Sequence, residues 1–179
     1  MDHDSGTDGF ESRFARREKK AAELVNPASG LANDYLNLFN EIVMLIEQLP
    51  TMPELMDDML RWHPLSYQDY FANSVLPGRV SALDAYASLD ARFREEFEGV
   101  VAELDRKAVG TVAAIRRHHK TFGESQPYAL AGICERAGET MREVLRRATN
   151  LVNYGVKSPR REPQSIADRL IDGDVRRAG

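Results

Sequence analysis

Asp34, Asn37 and Glu41 stand three and four residues apart. That spacing puts side chains on one face of a helix, where their oxygens can meet a cation or the donors of a partner protein. A carboxylate metal site in a helical bundle draws Glu-x-x-His pairs from neighbouring helices, and this chain contains none. The three residues therefore read first as a solvated helix face and second as a partner-docking face. No metal and no cofactor is expected.

The densest basic cluster is IRRHHK, which brings Arg116, Arg117, His118, His119 and Lys120 together. Cations in the last turn of a helix complement the negative end of its dipole, so the cluster has a purely structural explanation. Its functional readings are a phosphate-binding tip and a phosphoacceptor histidine. On the second reading the segment resembles histidine phosphotransfer domains, helical bundles whose acceptor histidine is followed by lysine and glycine, as Lys120 and Gly123 follow His118 and His119 here. The resemblance would give His118 or His119 the acceptor role.

RWHPLSYQDYF groups Trp62, His63, Tyr67, Tyr70 and Phe71 around a helix break. Aromatics at such spacing usually pack in a core with their polar tips turned outward. The sharper alternative makes Trp62, Tyr67 and Tyr70 anchors for a partner. Cys134 falls on an apolar helix seam and reads as a small buried side chain rather than a nucleophile. Arg142, Arg146 and Arg147, followed by Lys157, Arg160 and Arg161, form a stripe that suits phosphate. A sequence pI of about 5.6 and the interspersed Glu139 and Glu143 argue against a dedicated nucleic-acid binder. Nowhere do acid, base, nucleophile and metal ligand converge, so the expected function is a non-catalytic interaction or regulatory module.

These residues must be positioned by helices. In NDYLNLFNEIVMLIEQLP, Tyr35, Leu36, Leu38, Phe39, Ile42, Val43, Leu45, Ile46 and Leu49 fill one side of a helical wheel and the polar residues fill the other. Asn26 as cap and Pro27 at the first helical position predict an amphipathic helix over about 29–49. Thr51 and Glu54 spell a capping box for a next helix that ends near His63, before Pro64. Ser66 and Ser81 open two short helices.

From Asp90 to about His119, Phe93, Phe97, Val101, Leu104, Ala108, Val112 and Ile115 recur every three or four residues. From about Pro127 to Tyr154, Leu130, Cys134, Ala137, Met141, Val144, Ala148 and Leu151 do the same. With Gly123 and Pro127 between them, they predict a long antiparallel helical hairpin. The expected fold is an all-α bundle over 26–155. A flexible segment 1–25 precedes it, with a frayed helix over Phe10–Leu24, and a basic tail 156–179 follows, with a short helix in SIADRLIDG.

Length and charge bound the partners. At 179 residues, 29% charged and 42% hydrophobic, the chain has the composition of one globular domain with flexible ends. The opening MDHDSGTDGFESRF lacks the apolar core of a signal peptide, and a single cysteine excludes an internal disulfide, so a reducing cytoplasm is expected and no membrane. The net charge of −4 hides a division: 34–105 carries 14 acidic and 4 basic residues, and 106–179 carries 15 basic and 8 acidic. Two halves of opposite sign attract each other in one fold or mark a surface for a charged partner. The expected partner is another protein or a second copy of this chain.

The block from Asn26 to about Pro77, NPASGLANDYLNLFNEIVMLIEQLPTMPELMDDMLRWHPLSYQDYF and its flank, resembles small uncharacterised helical proteins of alphaproteobacteria. The resemblance implies a bacterial cytoplasmic protein and brings no activity, ligand or site residue with it.

Overall fold

Why the polar and aromatic clusters end up where they do follows from six helices and the turns between them. The computed structural model describes residues 24–155, and every regular element among them is helical. The all-α expectation holds. The frayed helix expected over Phe10–Leu24, all but its last residue, and the tail 156–179 with its short helix lie outside the described residues.

The first helix starts later than its amphipathic pattern predicts. A 3-10 turn, Asn33–Leu36, leads into α1, Asn37–Gln48. Asn26 does not cap a helix: its Oδ1 accepts from the Ala28 amide at 2.9 Å, and Gly30 turns the chain at φ 74°. An isolated antiparallel bridge between Val25 and Ala32 closes that turn. Tyr35, Leu36, Phe39, Ile42, Val43, Leu45, Ile46 and Leu49 are all buried. At about 1.5–3 kcal/mol for each large apolar side chain taken out of water, this stripe is a main source of core.

The Thr51 capping box is not made. Thr51 Oγ1 instead donates to the carbonyl of Gln48 at 3.0 Å and closes the end of α1. Pro53–Leu55 forms a 3-10 turn and α2 runs over Met56–Arg61, where Trp62 turns to extended backbone ahead of Pro64. Ser66 does cap α3, Tyr67–Ala72, its oxygen accepting from the Asp69 amide. Helix α4, Arg79–Ala87, begins two residues ahead of Ser81, because Gly78 at φ 92° turns the chain and its carbonyl accepts from the Ala82 amide.

Two long helices complete the fold. In α5, Ala91–Phe122, the Asp90 side chain caps the amides of Arg92 and Phe93. It continues one turn past His119 and stops at Gly123. Helix α6, Pro127–Tyr154, starts on proline and stops at Gly155. The two pack against one another, and α1 lies on α6. Phe97, Leu104, Ala108, Val112 and Ile115 face Cys134, Met141, Val144, Ala148 and Leu151 across a buried seam. Glu47 of α1 pairs with Arg142, whose Nε and Nη2 each donate to one of its carboxylate oxygens, and Glu103 of α5 pairs with Arg147 at 2.8 Å. Acidic and basic halves of the sequence thus meet across α6.

Candidate functional site

Residues far apart in sequence converge on one face. The Tyr70 ring sits edge-on to Tyr35 at 5.7 Å and to Phe71 at 5.1 Å, which leaves it half-buried. Its hydroxyl pKa is raised, first by burial and then by the nearby carboxylates of Asp34 and Glu41. Asn37 lies between those two on the same helical face and is exposed, as is Glu41. Trp62 packs on Phe39 and donates from Nε1 to the Leu38 carbonyl at 3.1 Å, beside the same turn. Asp34, Asn37, Glu41, Trp62 and Tyr70 therefore share one neighbourhood. Tyr67 does not belong to its surface: it is buried, stacked on Tyr86 at 4.5 Å, and its hydroxyl accepts from the Ala32 amide. Its place as a partner anchor is corrected to a core role.

The basic cluster divides as well. Arg117, His119 and Lys120 are exposed, and Arg116 is exposed but anchored, donating to the Leu60 carbonyl at 3.2 Å. His118 is only 7% exposed, with its ring 5.2 Å from that of Phe122. It continues the buried stripe of α5 at three residues past Ile115. Neither of its ring nitrogens has a hydrogen-bond partner.

Below this tip a cleft of about 300 Å³ opens between the α1–α2 connection and the ends of the long helices. Leu49, Pro50, Pro53, Met56, Pro127 and Leu130 form its apolar wall, and His119, Glu124 and Gln126 its polar edge. Met52 and Tyr128, each next in sequence to a wall proline, are 39% and 91% exposed, and Phe122, next to Gly123 of the cleft's lining, is 42% exposed. Proline fixes the backbone at three points of the wall, so the cleft is formed in advance of any ligand.

A shallower hollow of about 400 Å³ lies over α6 beside Cys134, edged by Glu47, Glu135, Glu139 and Arg142. Cys134 itself is buried and its thiol is pushed up by burial to about 11, which keeps it a neutral thiol near neutral pH. Among the described residues no group of three or more His, Cys, Asp and Glu is placed to hold a metal ion, and no helix is long and apolar enough to cross a membrane.

Three further polar residues are not among the candidates read from the sequence. Asp105 is half-buried under the Tyr35 side of the core, and burial raises its carboxyl pKa. Glu98 accepts from the Tyr86 hydroxyl at 2.6 Å. Ser29 donates to the Val152 carbonyl and accepts from the Leu31 amide. Only Asp105, one residue beside Leu104 of the apolar stripe, carried a signal of burial. Searches against protein families, curated proteins and solved structures found no match to this chain.

Proposed function

We propose that this chain is a non-catalytic protein-interaction module that takes one or two apolar side chains of a partner protein into the cleft at the tip of its long helices. The observation that carries the reading is the apolar wall of Leu49, Pro50, Pro53, Met56, Pro127 and Leu130, with the exposed Met52, Phe122 and Tyr128 each next in sequence to a residue that lines the cleft. Single exposed apolar residues are ordinary, but three adjoining the lining residues of one apolar cleft favour a binding surface. A volume of about 300 Å³ sits at the lower end of ligand pockets and suits a leucine- or phenylalanine-sized group. Exposed Lys120, next in sequence to His119 of the cleft's edge, favours a partner with acidic residues flanking that group.

A photo-crosslinking amino acid at Tyr128 tests this. One discrete partner should be captured in cells of the source organism and again with the purified pair. It should be lost in Leu130→Lys, a variant that keeps its helical circular dichroism. Capture that survives Leu130→Lys places the contact elsewhere and removes the proposal.

A phosphotransfer role has one observation in its favour: His119 is exposed on the edge of the cleft, within reach of a phosphoryl donor. On that reading an acid-labile label from a cognate kinase disappears in His119→Gln and persists in His118→Gln.

A further inference from the structure

On the outer face of the turn before α1, Asp34 and Glu41 form no ion pair within the described fold, and α6 ends at Gly155 against the Ala28–Ser29 loop that leads into that turn. We propose that the basic stretch Lys157–Arg161 of this chain folds back and docks on the face formed by Asp34, Glu41 and the Tyr70 ring.

Gly155 sets where the segment starts. It ends α6 at φ 71°, and a Cβ there would stand 2.2 Å from the Ala28 carbonyl oxygen, so α6 leaves its last residue directly against the loop that precedes Asn33. The Ser29 bond to Val152 holds that loop in place. From it a short series of contacts leads to the docking face: Ala32 bonds Tyr67, and Tyr35 touches both Tyr67 at 5.2 Å and Tyr70 at 5.7 Å. Arg161 is six residues beyond Gly155 and reaches about 20 Å when extended.

Charge selects the occupant. VKSPRR presents Lys157, Arg160 and Arg161 with no acidic residue among them. Two carboxylates flanking a half-exposed aromatic ring suit a guanidinium, through charge-assisted hydrogen bonds and cation–π contact. The other basic stretch, ARREKK, leads into Leu24, also near Ala32. There Glu18 lies among the cations and Glu23 is the charge nearest the described fold, whereas the C-terminal cations come before their first acidic neighbour, Glu162. The C-terminal stretch is therefore the better fit. This face lies at the end of α1 away from the tip cleft, so the inference stands apart from the proposed partner site.

Limited trypsin digestion of the full chain at low ionic strength is the test. It follows the bonds after Lys157 and Arg160 against the bond after Arg177 in the same molecule. In Asp34→Asn/Glu41→Gln these two bonds should be cut about three- to tenfold faster than in the parent, the range for a few surface ion pairs held together by a short tether. Salt should bring the parent toward the variant's rate. Equal rates in both proteins overturn the proposal, and so does protection that falls on the bonds after Arg16 and Lys19 instead. A second measurement leaves the described fold untouched: Lys157→Gln/Arg160→Gln/Arg161→Gln should move the amide resonances of Asn37, Glu41 and Tyr70. Unmoved resonances refute docking on this face.

Discussion

The Tyr67 hydroxyl accepts the amide proton of Ala32 at 2.8 Å while its ring stacks on Tyr86 in the core. Removing that one oxygen strands a buried N–H. Tyr67→Phe should therefore cost about 1–3 kcal/mol in urea unfolding, although it changes almost no apolar area. This hydroxyl and one other buried group set an alkaline limit. Burial raises the Cys134 thiol from 9.0 to about 11 and the Tyr67 hydroxyl from 10.0 to about 12. Both are acids that the fold keeps protonated after the unfolded chain has released its proton. Their stabilising effect is complete below pH 9 and is lost as pH rises through 11 and 12. The urea midpoint should hold level from pH 7 to 9 and fall above that. Cys134→Ala should remove the earlier part of the fall, and the native thiol should resist alkylation at pH 8. A midpoint that rises above pH 9 would contradict the assignment.

At the level of helices, the glycines of α5 and those at the turns behave oppositely. A Cβ at Gly99 or Gly110 would meet no atom within 4 Å, so glycine in the middle of that helix has no internal packing reason. Alanine at either position should add about 0.5–1 kcal/mol to stability. Gly155→Ala should do the reverse, since the left-handed backbone and the Ala28 carbonyl both exclude a side chain. Chemical denaturation of the three single variants separates the cases. These long helices were readable in the sequence because their signals are local: Asp90 caps, Pro127 starts, and the stripes repeat every three or four residues. The start of α1 was not readable, because Ser29–Val152 and Ala32–Tyr67 are bonds across 123 and 35 residues. Pattern alone cannot see them. His118 fitted the stripe, yet its basic neighbours made it read as surface. Asp34 and Glu41 were legible as one helix face, but their meeting with Tyr70 depends on how α3 packs and leaves no trace in spacing.

Across the whole molecule the opposite charges of the two sequence halves are paired at Glu47–Arg142 and Glu103–Arg147. Both arginines are well exposed, so each pair contributes at most about 1 kcal/mol and weakens with salt. They fix how α1 and α5 sit on α6 more than they stabilise the fold. The buried seam and the α1 stripe carry that burden. The Ser29–Val152 bond has a different kind of consequence. It brings the beginning and end of the described fold together, so the order in which the helices are strung is not essential to the shape they make. A circular permutant that joins Gly179 to Met1 and opens the chain before Val75, 97% exposed between α3 and α4, keeps every described helix intact. Closing such a long loop costs little in entropy, and exposed loop tips tolerate new ends. The permutant should retain the parent's helical circular dichroism and unfold within about 2 kcal/mol of it. Helix α4 would then be made first and α3 last, and the same bundle would assemble from either order of synthesis.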